Sequence, residues 1–186
     1  MATTIPNPTD MCIIVTYRCP MQCQMCNIWK NPTQKEKEIT LAEIKKLPSV
    51  KFINITGGEP FVREDLEEII EICFQKSPRV VISTSGWFED RIIKMTKRFP
   101  NIGIRISIEG LSLKNDELRG RNGGFDKGLR TLLRLWELKI LDLELLFLIT
   151  IQLTCYHFIN FPNHWGWNLQ QQHSTILIIS IKKITI

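Results

Sequence analysis

Cys19, Cys23 and Cys26 put three thiols within eight consecutive positions, spaced C-x3-C-x2-C inside the stretch TYRCPMQCQMCNIWKNP. Disulfides consume thiols in pairs and a structural zinc site takes four ligands, so an isolated set of three suits neither. Three thiolates on one loop can hold three corners of a cubane [4Fe-4S] cluster and leave its fourth iron without a protein ligand. That position is then a vacancy for a small molecule. Cys12 and Cys73 fall on an apolar strand and a helix face, where a thiol packs as a small hydrophobe.

The elements that must position this loop can be read around it. Short β-branched runs recur at Met11 to Val15, Phe52 to Thr56, Val80 to Thr84 and Ile102 to Ile108, mostly apolar on both faces as buried parallel strands are. Helical patterns alternate with them. Thr40 and Glu43 form a capping box before a short helix that ends near Pro48, and three further helical patterns follow at DLEEIIEICFQK, FEDRIIKMTKRF and FDKGLRTLLRLWELK. The chain is therefore α/β with right-handed parallel crossovers, either a doubly wound sheet or part of a (β/α) barrel. Both architectures put function in the loops after the carboxyl ends of the strands. The unusual residues stand there: the cysteines after the first strand, TGGEP after the second, TSG after the third and EG after the fourth.

The cysteine loop, with TGGEP (Thr56 to Pro60) one βα unit later, resembles the radical S-adenosylmethionine (SAM) superfamily, and in particular its peptide- and cofactor-modifying branch that often carries a C-terminal SPASM-type domain. The resemblance runs from about Asp10 to Leu143 and implies a partial (β/α) barrel truncated after four to five βα units. It implies a [4Fe-4S] cluster on Cys19, Cys23 and Cys26, with SAM chelating the open iron and being reductively cleaved to methionine and a 5′-deoxyadenosyl radical. By the same resemblance Gly57, Gly58, Glu59 and Pro60 contact SAM, with Glu59 and nearby carbonyls accepting from its ammonium group. Ser107 and Glu109 match the family's Ser-x-Asp/Glu-Gly pattern and face ribose or substrate; Arg119 matches an Arg near the SAM carboxylate. Met25 stands where the family often has an aromatic beside adenine, and Ser85 where it often has Asn.

Totals bound the alternatives. With 186 residues and 44% apolar content the chain holds one sizeable core. Its net charge of +5 is spread without a Lys/Arg block, which argues against nucleic acid and anionic membranes as partners. No basic, apolar leader opens the sequence, and no window is long enough to span a bilayer. The expectation is a cytoplasmic enzyme with reduced thiols, an external electron donor and an unidentified peptide or small-molecule substrate. The competing class is a non-catalytic iron–sulfur or zinc protein, or an inactive truncated remnant.

The segment 144–186 differs from the core, 1–143. From Leu145 onward the only charged residues are Lys182 and Lys183, while His157, His164 and His173, all the histidines of the chain, lie there. One reading is a metal-binding or membrane-seeking segment. The other, which we favour, is a shift of reading frame: restoring one base at Glu144 permits a fifth strand, an Asn/Asp/Ser turn and an amphipathic helix, continuing the βα rhythm.

Overall fold

The computed structural model describes residues 8–138 and the strand Ile176–Ile179. Strands β1 (Asp10–Ile14), β2 (Phe52–Thr56), β3 (Val80–Thr84) and β4 (Gly103–Ile106) form a parallel sheet, and β5 (Ile176–Ile179) runs parallel along the other edge of β1. The order β4-β3-β2-β1-β5 decides between the two expected architectures. A doubly wound sheet reverses its strand order at a switch point, whereas here the first four strands follow one another without reversal, as in a barrel. The architecture is that of a partial (β/α) barrel.

Helices α1 (Leu41–Lys45), α2 (Leu66–Lys76), α3 (Glu89–Arg98), α4 (Ser112–Arg119) and α5 (Gly124–Glu137) lie between and after these strands. The capping box of α1 forms as expected: the Glu43 N–H donates to Thr40 Oγ1 and the Thr40 N–H to the Glu43 carboxylate. The core packs one face of the sheet (Met11, Ile13, Ile53, Ile55, Ile82, Ile104 and Ile106) against Leu66, Ile69, Ile70 and Cys73 of α2, Ile92 of α3 and Leu135 of α5. Cys73 is fully buried there, as a packing thiol should be.

Two expectations need correction. The strands are not apolar on both faces: Cys12, Asn54, Ser83 and Arg105 point away from the helices and are half-buried, because that face is the inner side of the partial barrel and not a second helix-covered layer. α4 was not expected, since SLKNDELR has no apolar stripe. It is fixed by polar contacts instead. Its Asp116 accepts from the N–H groups of Gly123 and Phe125, which open α5, and Gly120 ends it at φ 62°.

The expected fifth strand after Leu143, Cys155 and the three histidines lie outside the described residues. Within the segment expected to be out of frame, the apolar run at 176–179 takes strand geometry. It is rich in β-branched side chains, and the edge of β1 offers unpaired backbone groups.

Candidate functional site

The loop between β1 and α1 carries the three cysteines, and three neighbours hold it. At its base the Gly58 N–H donates to the Thr16 carbonyl (2.7 Å) and the Glu59 N–H to the Arg18 carbonyl (2.9 Å), so the TGGEP turn lies directly against it. A Cβ on Gly57 would stand 2.3 Å from the Thr16 oxygen, and one on Gly58 2.4 Å from the Arg18 oxygen. These positions are glycine because two backbones meet there. The close approach is to the cysteine loop itself, where the sequence had suggested approach to a ligand.

On its far side the loop is held by α4. The N–H groups of Gln22 and Gln24 donate to the carbonyls of Arg119 and Leu118, and the Gln24 side chain donates to that of Glu117. The last turn of a helix has carbonyls without intrahelical partners, and here the cysteine loop supplies the donors. Gly120 packs its α-carbon against the Gln22 carbonyl, which a side chain would strike.

The third restraint is ionic. Glu38, almost fully buried, accepts from Thr16 Oγ1 (2.5 Å), Thr33 Oγ1 (2.9 Å), the Arg18 guanidinium (2.8 and 3.0 Å) and Arg63 Nη1 (3.3 Å). Burial pushes its carboxyl up, but those hydrogen bonds and the Arg18 charge outweigh burial and hold it below its ordinary value. Arg63 in turn donates to both oxygens of Asp65 and to the carbonyls of Val15 and Ile39. One buried network thereby ties both ends of the loop to the turn after β2.

Within this frame Cys19, Cys23 and Cys26 line a single open cleft, together with Gly57, Gly58, Ser107, Glu109 and Arg119. Among the described residues no three ligating side chains converge on one mononuclear position. The three thiols line a shared space. Burial raises the Cys19 thiol to about 11 and raises that of Cys23, while the Arg119 charge works in the opposite direction on both. Arg119 thus stabilises negative charge on the cysteines. It is paired with Glu109 at 3.1 Å, and its Nε–H is buried without an acceptor.

Not every expected residue faces the cleft. Glu59 is fully buried and does not line it. Its Oε1 accepts from Thr84 Oγ1 (2.8 Å) and the Phe61 N–H (3.2 Å), its Oε2 from the Ser85 N–H (2.8 Å) and Oγ (2.5 Å). The carboxylate is saturated by the turn after β3. Pro60 is buried at the start of the short 3₁₀ turn Pro60–Val62. Met25 lines the cleft, as do Thr56 and Thr84 of the TGGEP and TSG turns and four residues that the sequence did not single out, Met21, Ile28, Trp29 and Ser83. Trp29 was legible in hindsight, since its indole N–H donates to the Cys23 carbonyl and closes the loop on itself. Asn115, fully buried and accepting from the Glu109 N–H at 2.9 Å, gave no sequence signal because its partner belongs to a different loop.

The residues fit a group bound through three thiolates: one loop, one cleft, a cation beside the sulfurs and a buried donor lacking an acceptor. The chain is 34% identical over 130 residues to the Fe-coproporphyrin III synthase of Methanosarcina barkeri, covering 63% of this chain and 31% of that protein. It is 26% identical over 139 residues to the sporulation killing factor maturation protein SkfB of Bacillus subtilis, covering 72% and 34%. The chain spans about a third of the length of these relatives. In fold it is similar to the crystal structure of Streptococcus suis SuiB bound to S-adenosylmethionine, with a TM-score of 0.56 at 18% identity over 67% of this chain and 30% of that one. The family described as the radical SAM superfamily matches residues 13–154, and with the cysteine cleft at the carboxyl ends of the strands this chain belongs to that superfamily, whose cofactors are a [4Fe-4S] cluster and SAM.

Proposed function

We propose that this chain carries the cluster- and SAM-binding part of a radical SAM enzyme, with Cys19, Cys23 and Cys26 as the cluster ligands. The observation that carries this reading is the cleft shared by the three thiols, the glycine turn and Arg119. When bound, the cluster supplies the electron that cleaves SAM to methionine and a 5′-deoxyadenosyl radical, and an external donor must supply that electron in turn.

The chain's own residues have separable tasks. Backbone carbonyls of the Thr56–Gly58 turn take the ammonium group of SAM, while Glu59 and Pro60 hold that turn and the one after β3 in place. The orphaned Arg119 Nε–H donates to the SAM carboxylate, and Glu109 keeps the guanidinium from swinging away. Ser107 offers a hydroxyl to ribose or substrate at the end of β4. Met25 and Trp29 supply polarizable and aromatic surface on the cysteine side, where they pack against the base and exclude water. The likeness to SkfB, a maturation protein, supports a peptide as substrate.

Anaerobic reconstitution with iron and sulfide, followed by reduction in the presence of SAM, tests this directly. Methionine and 5′-deoxyadenosine in equal amounts are expected. A reconstituted cluster that produces neither would leave a non-catalytic iron–sulfur protein.

A further inference from the structure

Arg105 stands on the inner face of β4, in register with Ser83 of β3. The row continues across the sheet: the Ser83 hydroxyl donates to Asn54 Oδ1 at 2.9 Å, and the Asn54 amide donates to the Cys12 sulfur at 3.8 Å. Arg105 joins this row without being satisfied by it. No carboxylate among the described residues pairs with its guanidinium, and its Nε–H is buried with no acceptor. Elsewhere the inner face offers little compensation. Glu109 is held by Arg119, and Asp10 sits at the start of the strand farthest from β4 within β1 to β4, accepting from Thr9.

The face is thus rich in donors. Arg105 offers its fork of N–H groups and Asn54 a second amide hydrogen, while the Asn54 carbonyl oxygen is already taken by Ser83. A cation with a desolvated, unused donor is costly unless an anion completes it. Ser83 also lines the cysteine cleft, so the row touches the cleft at that residue. Ser107 lies two residues beyond Arg105, just past the end of β4, about 7 Å away at the usual strand rise. A molecule seated between the two would have its far end on the guanidinium and its near end at the cluster side.

We propose that Arg105, with Asn54 and Ser83, forms a carboxylate-binding subsite that seats the substrate below the cysteine cleft. The inference rests on the reading of the cleft as the place of reaction, and it narrows the substrate to one bearing a carboxylate. The planar guanidinium favours a carboxylate because two parallel N–H groups match its two oxygens.

The test is a nitrogen-15 NMR titration of the full chain with N-acetylglutamate, following the arginine Nε–H signals; that of Arg105 is assigned by its loss in Arg105→Lys. N-acetylglutamine and sodium chloride at matched ionic strength are the controls, and inorganic phosphate is a separate arm. The expected result is a saturable shift of the Arg105 signal with N-acetylglutamate alone. The Asn54 amide signal should follow the same curve, with affinity at least tenfold weaker in Arg105→Gln and less affected in Arg105→Lys. An equal response to the glutamine analogue or to chloride overturns the proposal, as does unaltered affinity in Arg105→Gln. Tighter saturation by phosphate than by the carboxylate overturns the assignment to carboxylates. The titration needs neither SAM nor turnover. A flat curve with normal SAM cleavage therefore condemns the subsite alone, and a saturable one without cleavage condemns only the reading of the cleft.

Discussion

Gly58 and Gly110 both stand near the cleft, and only one of them has no room for a side chain. A Cβ at Gly58 would meet the Arg18 oxygen at 2.4 Å, whereas at Gly110 the nearest atom is Lys114 Cβ at 3.4 Å. We expect Gly58→Ala to destabilise the chain by about 1–3 kcal/mol through forced separation of the two loops and to weaken cluster retention, with Gly110→Ala close to neutral. Thermal midpoints and iron content after anaerobic reconstitution check both. Replacing Cys19, Cys23 and Cys26 together by Ala should abolish the iron–sulfur absorbance, while Cys12→Ala and Cys73→Ala leave it intact. Cluster absorbance surviving in the triple variant would exclude the loop as the binding site. The cysteines were legible because ligand spacing is local in sequence. The role of Glu59 was not, because its partners Thr84 and Ser85 lie more than twenty residues away and only the fold brings them together. The sequence marked Gly57 and Gly58 for close approach to a ligand, whereas the group that a side chain there would strike is the backbone of Thr16 and Arg18.

The cysteine loop behaves as an element in its own right, clamped by Glu38, Arg18 and Arg63. Breaking one member of a buried ionic network strands its partners, so Glu38→Gln should cost about 3 kcal/mol near neutral pH. The sign of the pH effect follows from the depressed Glu38 carboxyl. A group held below its unfolded value, here 4.5, contributes its stability above that value and loses it as the pH falls through the folded one. Asp65, lowered first by its hydrogen bonds from Arg63, acts in the same direction. Stability should therefore fall as the pH drops from about 5, and more steeply in the wild type than in Glu38→Gln. Parallel curves for the two proteins between pH 3 and 7 would show that the network does not hold the loop. Strands β1 to β4 and helices α1, α2, α3 and α5 were legible from periodicity and capping. α4 was not, since its stability comes from Asp116 bonds to the next helix and from the loop donors on its last carbonyls.

At the scale of the whole molecule, the four βα units form an arc with β4 at one edge. Leu133, Trp136 and Leu138 at the end of α5 are exposed, and so are Leu111 and Leu113 beside the cleft. Open parallel edges and apolar helix faces favour association. Sedimentation velocity should show concentration-dependent self-association that Trp136→Lys reduces; a monomer at all concentrations would mean that these surfaces are adequately covered. No helix among the described residues is long and apolar enough to cross a membrane. The proposed frame shift after Leu143 makes a separate prediction: DNA sequencing should find the restored frame continuing downstream of the gene, and a stop in that frame would refute it. The central claim is that the three thiols hold a cluster whose open iron takes SAM. Electron paramagnetic resonance of the reduced, reconstituted protein with and without saturating SAM measures this most directly. The account predicts a SAM-dependent change of the cluster signal that Gly58→Ala diminishes; an identical spectrum with and without SAM would contradict it.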